Sequence, residues 1–119
     1  MENPFMKKAL KEARAAFEKG EIPVGAVIVK DGEIIASGHN LRETNQDALS
    51  HAEIEAIAKA CRKLGRWRLS DCDIYVTLEP CAMCCGAIAQ AKSDGCILVR
   101  MTQREALQFP MPAFRNIRG

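Results

Sequence analysis

Two short stretches limit what this chain can fold into: His51-Ala52-Glu53 and, further on, Pro80-Cys81-Ala82-Met83-Cys84. One imidazole and two thiols are the ligand set that Zn²⁺ accepts while keeping a fourth position open to water. They lie on two separate segments, so the fold must return the chain and bring position 81 back against position 51. Glu53 follows the histidine by two and is not needed as a ligand. A carboxylate there is placed to move protons for a water that the metal activates. Cys-x-x-Cys alone carries little information, whereas joined to His-x-Glu it is specific.

Periodicity supplies the frame around these residues. Met6, Ala9, Leu10, Ala13, Ala16 and Phe17 recur at three- and four-residue spacing, which predicts an amphipathic helix over residues 5–19, stopped by Gly20. Residues 24–29 form an apolar run too continuous to be half-solvated. Asp31-Gly32 is a two-residue hairpin signal, and residues 34–37 return antiparallel. Residues 41–50 read as a polar loop. Ser50 then predicts the N-cap of a helix that runs to about Leu64 and is closed by Gly65. His51 and Glu53 fall in its first turn. Trp67 is expected to lid apolar surface. Residues 74–78 predict a third strand, and Pro80 prepares entry to a helix from Cys81 to about Ala91. Cys81 and Cys84, three apart, share one face of its first turn. Residues 97–99 suit a fourth strand beside residues 74–78. Beyond them Pro110 and Pro112 interrupt a segment with no sustained period.

The order helix, hairpin, helix, strand, helix predicts an α/β domain, a mixed β-sheet flanked by helices. Both halves of the metal motif then sit at helix N-termini, whose partial positive charge favours thiolates.

Length and composition bound the rest. The 119 residues suffice for one domain with one core, spanning residues 1–119. A formal charge of +2 neither requires nor opposes a nucleic-acid partner. No apolar run approaches the ~20 residues of a membrane span. Met1-Glu2-Asn3-Pro4 lacks the basic start and apolar stretch of an export signal, so the expected compartment is the cytoplasm. In that setting the six cysteines read as thiols rather than disulfides. Cys61, Cys72 and Cys96 sit among apolar neighbours as small buried hydrophobes. Cys85 adjoins Cys84, so it points elsewhere and is a poor ligand. A purely structural zinc site would need a fourth protein ligand, for which Cys85 and His39 are the near candidates. Arg62, Lys63, Arg66 and Arg68 form either a phosphate-facing patch or a plain solvated face.

His-x-Glu followed by Pro-Cys-x-x-Cys is a general signature of zinc-dependent nucleobase deaminases. The chain resembles the cytidine deaminase-like superfamily, and within it most the bacterial tRNA-specific adenosine deaminases. The resemblance runs over residues 5–92. It rests on Gly20-Glu21-Ile22-Pro23-Val24-Gly25-Ala26-Val27, Gly38-His39-Asn40, Ser50-His51-Ala52-Glu53-Ile54, and Tyr75-Val76-Thr77-Leu78-Glu79-Pro80-Cys81-Ala82-Met83-Cys84. It implies a mixed five-stranded sheet flanked by helices, usually as a homodimer. It implies one zinc per chain held by His51, Cys81 and Cys84, with Glu53 as the catalytic proton shuttle. Asn40 corresponds to a residue that touches the substrate base, and the backbone of Ala52 to one lying near it. Asn40 is equally at home as a turn residue after Gly38. Asp47-Ala48 stands where relatives carry Asp-Pro.

After Lys92 the wording departs from the family, whose last strand and C-terminal helices are expected to be missing from this chain. Taking the third base of each codon with the first two of the next, permitted codons from Lys92 to Leu107 spell I-R-R-V-Y-F-G-T-D-D-P-K-G-G-A, which is the family wording. Met101 has a single codon, and it forces the second of the two Asp. A one-base shift is therefore the expected origin of residues 93–119, against a divergent tail. The resemblance implies hydrolytic deamination of adenosine in a tRNA anticodon loop. A free nucleobase deaminase acting on guanine or cytosine, and an inactive zinc-binding remnant, are the competing expectations.

Overall fold

The computed structural model describes residues 4–77 and 81–91, together with the backbone of residues 98–101. Its elements are α1 (Pro4–Glu18), β1 (Gly25–Lys30), β2 (Glu33–His39), α2 (Arg42–Asn45), α3 (Ala52–Leu64), β3 (Asp73–Val76), α4 (Ala82–Ala91) and β4 (Leu98–Met101). The sheet order is β2-β1-β3-β4, with β1 antiparallel to both neighbours and β3 parallel to β4. The expected mixed sheet flanked by helices is therefore present. Residues 78–80, 92–97 and 102–119 lie outside the described residues, and with them the readings made for Leu78, Pro80, Cys96 and the tail.

β1 explains the layering. Its side chains alternate between two faces, and both faces are covered. Ala26 and Ile28 pack with Ala52, Ala56 and Ala60 of α3 and Ile88 and Ala91 of α4. Val27 and Val29 pack on the other face with Met6 and Ala9 of α1 and with Tyr75. A continuous apolar run is what a central strand covered on both sides requires. The hairpin signal holds as well: Asp31 (φ 53°) and Gly32 (φ 77°) are both left-handed, as a type I′ turn needs.

Small residues set how closely the helices approach. A Cβ on Gly25 would stand 2.0 Å from the Ala9 carbonyl oxygen of α1. A Cβ on Gly38 would stand 2.8 Å from both the Ala52 carbonyl oxygen and the Ala56 nitrogen of α3. The missing side chains let α1 and α3 lie directly against the sheet. Thr77 fastens the same end, its hydroxyl and N–H bonding the N–H and carbonyl of Gly25 at 3.1 Å each.

Three local readings change. Residues 41–50 are not uniform loop, because Arg42–Asn45 make one helical turn closed by Gln46 in the left-handed region (φ 49°). Ser50 is not the cap of α3. The N-cap is His51, and its side chain makes no capping bond. Its imidazole faces the thiols instead, and the capping oxygen comes from Asn40 at the end of β2. Trp67 does not lid the core: it is 57% exposed, with the Arg68 guanidinium 4.8 Å from its ring centre. Gly65 closes α3 as expected (φ 70°), donating to the Cys61 carbonyl at 2.8 Å.

Candidate metal centre

The N-termini of α3 and α4 converge at one end of the sheet. His51 directly precedes α3. Cys81 directly precedes α4, and Cys84 lies inside its first turn. The His51 Nδ1 stands 3.6 Å from the Cys81 Sγ and 3.5 Å from the Cys84 Sγ. All three ligand atoms lie within 4.8 Å of one another. Tetrahedral zinc, with Zn–N of about 2.0 Å and Zn–S of about 2.3 Å, holds N and S roughly 3.6 Å apart. The triangle has the dimensions of that ion's ligand shell, and the donor set is the one zinc takes when a position is left open.

Charge states fit the same use. Burial, and then the charge of Arg42, hold the His51 imidazole below its ordinary value of 6.5, so near neutral pH it is the uncharged ligand form. Burial pushes the Cys84 thiol up, and the neighbouring Glu53 and Cys81 push the same way. The favourable helix N-terminus is outweighed, so Cys84 loses its proton where a cation takes the proton's place.

Glu53 occupies the first turn of α3 and is 3% exposed. Burial raises its carboxyl above the ordinary 4.5, opposed by its own backbone N–H and by a hydrogen bond with Cys84. A carboxyl whose pKa is raised, beside the metal-type ligand Cys84, can both take and return a proton.

Asn40 and Ala52 are joined to each other. The Ala52 N–H donates to the Asn40 Oδ1 at 2.9 Å. This fixes the amide orientation, since an N–H needs the oxygen, and leaves the Asn40 NH₂ as the group it can present. Asn40 also lines an open cleft of about 270 Å³ with Gly20, Glu21, Ile22, Arg42 and Glu43.

Other candidates are not brought here. His39 bonds the Glu12 Oε1 through Nδ1 at 2.6 Å and the Lys19 Nζ through Nε2 at 3.1 Å. Cys85 is exposed. Neither belongs to the ligand group found among the described residues, so neither supplies the fourth protein ligand that a structural site would use. Arg66 is occupied with Asp71 at 2.9 and 3.0 Å. Sequence reasoning missed Glu21, a buried acid whose partners lie more than twenty residues away. Its only signal was an acidic residue inside a stretch otherwise rich in glycine, proline and valine.

A mixed sheet whose covering helices aim two N-termini at a His/Cys/Cys triangle defines a zinc-binding α/β domain. Residues 1–101 match the family of the cytidine and deoxycytidylate deaminase zinc-binding region. The chain belongs to that family, and zinc is the cofactor its residues fit. Among relatives, it is 57% identical over 90 residues to the tRNA-specific adenosine deaminase of Bacillus subtilis (strain 168), covering 76% of this chain and 56% of that protein. It is 49% identical over 100 residues to the tRNA-specific adenosine deaminase of Aquifex aeolicus (strain VF5), covering 84% and 66%. A solved structure from a study of A-to-I editing by tRNA:A34 deaminases superimposes with a TM-score of 0.81 at 36% identity, covering 88% of this chain and 97% of that one. Guanine deaminase from Bacillus subtilis superimposes with a TM-score of 0.76 at 42% identity, covering 91% and 69%. The chain spans a little over half to about two thirds of the length of these curated relatives.

Proposed function

We propose that this chain is a zinc-dependent hydrolytic deaminase that converts adenosine to inosine in a tRNA anticodon loop. The observation that carries the reaction class is the buried Glu53 carboxyl beside Cys84 in the His51, Cys81, Cys84 triangle. The names of its relatives support the substrate.

His51, Cys81 and Cys84 would hold zinc, which when bound would supply an acidified water. Glu53 accepts a proton from the attacking water and delivers it to the ring nitrogen beside C6 of the adenine. After addition at C6, Glu53 takes the second proton from the added hydroxyl and hands it to the amine; the C6–N bond breaks, the C6 carbonyl of inosine forms and ammonia departs. Asn40 offers its NH₂ to the base edge, and the backbone of Ala52, held by the same Asn40, lies alongside. A single-stranded loop presents a base that is already splayed, so little unstacking is needed.

A second reading is favoured by the likeness to guanine deaminase: a free-base deaminase using the same residues. A zinc-binding remnant without turnover is the third. Ammonia release from an anticodon stem-loop, free guanine and free cytosine separates them. Turnover of the stem-loop adenosine is expected. Turnover of guanine alone would overturn the tRNA reading, and zinc with no turnover on any substrate would establish the remnant. We also infer a homodimer, as the family resemblance implies, and a cytoplasmic location. Among the described residues no helix is long and apolar enough to cross a membrane. Sedimentation as a monomer at micromolar concentration would overturn the dimer.

A further inference from the structure

The turn Arg42–Asn45 has no apolar anchor. It buries no residue, and an isolated four-residue helix does not persist in water. The base of its loop is clasped, with the Leu41 N–H on the Ser50 carbonyl at 2.9 Å and the Asn45 Nδ2 on the Ser50 Oγ at 3.4 Å. What holds the turn itself to the body of the protein is Glu21. The Glu21 Oε1 accepts the Glu43 N–H at 3.2 Å. The Glu21 Oε2 accepts the Thr44 N–H at 2.6 Å and the Thr44 Oγ1 hydroxyl at 2.7 Å. Glu21 is buried and is itself fixed by its N–H on the Ala16 carbonyl of α1 at 2.9 Å.

The latch spans the cleft that Asn40 lines. Glu21 and Ile22 stand on the α1 side, while Arg42 and Glu43 belong to the turn. The pose of the turn therefore decides where Arg42 stands along the cleft it lines together with Asn40. A nucleotide inside an RNA chain brings phosphates on either side of its base. A free base brings none.

We propose that Glu21 is a positioning residue: it latches the Arg42–Asn45 turn across the cleft and so sets Arg42 against the phosphates of a chain-linked nucleotide. This rests on the tRNA reading above and deepens it. Glu21 does not touch the reacting atoms. Its effect is on affinity for substrate in a chain, through Arg42, and leaves the chemistry at Glu53 alone.

The test uses the full chain loaded with zinc, and Glu21→Gln. Glutamine keeps the size and one acceptor but turns its NH₂ towards a donor. Three results are expected. Amide exchange across residues 42–45 accelerates with zinc content unchanged. The dissociation constant for an anticodon stem-loop rises roughly tenfold, the loss of about one charge-assisted contact. In turnover, KM rises with kcat nearly unchanged. Arg42→Ala should give the same affinity loss without faster exchange, and the double variant should lose no more than either alone, because both act through one contact. Faster exchange with unchanged RNA affinity, or losses that add in full, would overturn the latch while leaving the tRNA reading standing. Absence of stem-loop binding by the unaltered chain would overturn the tRNA reading and the latch with it.

Discussion

The Asn40 side-chain oxygen accepts the backbone N–H of Ala52 at 2.9 Å, so the end of β2 caps the helix that follows the metal-type histidine. One amide thus has two ends with two uses. Its oxygen holds the first turn of α3, and its nitrogen is the donor that the proposed function assigns to the base. Asn40→Ala should therefore lose stability as well as substrate use, by about 1–3 kcal/mol for the buried N–H left unpaired. Asn40→Asp keeps an oxygen for Ala52 and removes the NH₂ donor. It should retain most of the melting temperature while substrate turnover falls. An Asn40→Asp variant with normal kinetics would remove Asn40 from base recognition.

Gly38 sets the approach of α3. Any side chain there meets the Ala52 carbonyl and the Ala56 nitrogen at 2.8 Å, and both are backbone atoms that cannot rotate away. Gly38→Ala should cost about 1–3 kcal/mol or more, as overpacking does. It should also weaken zinc binding, since Ala52 adjoins His51. Denaturant midpoints and zinc competition measure the two effects. Zinc affinity left unchanged while stability falls would show that the metal triangle does not depend on this contact.

Glu53→Gln should bind zinc at one ion per chain and lose turnover. Glutamine preserves shape but carries no proton to shuttle. General acid–base steps are typically worth ~10²–10⁴-fold each, and the proposed mechanism uses Glu53 twice. A rate within a few-fold of the unaltered chain would exclude Glu53 from proton transfer.

Cys84→Ala should abolish stoichiometric zinc, and Cys85 should not replace it, because Cys85 is exposed while Cys84 is fully buried beside His51. Metal binding is coupled to folding, so the melting temperature should fall and become insensitive to chelator. Elemental analysis showing a full zinc ion in Cys84→Ala would refute the ligand set.

Acid should weaken the junction between α1 and β2. Burial pushes the Glu12 carboxyl up, but hydrogen bonds from His39 at 2.6 Å and Ser37 at 3.0 Å, with Lys8 at 3.3 Å, outweigh it and hold it below the ordinary 4.5. A folded-state value below the unfolded one gives stability that is complete above about pH 4.5 and is lost as pH falls through the folded value. Glu21 has the same sign: burial raises it, but bonds from Thr44 and Glu43 outweigh that and hold it below the ordinary value. Glu12→Gln should flatten the acid limb of the urea midpoint measured from about pH 7 to 3. A limb as steep as that of the unaltered chain would show that other carboxylates govern it.

The sequence by itself determined the ligand types, the order of the elements other than α2, and the tight hairpin. Each depends on residue type at short spacing: Cys81 and Cys84 three apart at a helix start, Asp31-Gly32 in a turn that demands positive φ, and an apolar β1 that only a doubly covered strand explains. Tertiary structure alone decided which polar group serves which neighbour. Ser50 had the composition of a cap, yet Asn40 caps α3, because β2 ends where the N-terminus of α3 lies and the His51 side chain is turned to the thiols. His39 had the composition of a ligand, yet Glu12 and Lys19 hold it. Glu21 showed no pattern, and its partners at Glu43 and Thr44 come within reach only when the sheet folds. Spacing along a chain fixes which side chains share a helix face or a turn. Hydrogen bonds between distant segments act over about 3 Å, and only packing brings their partners that close.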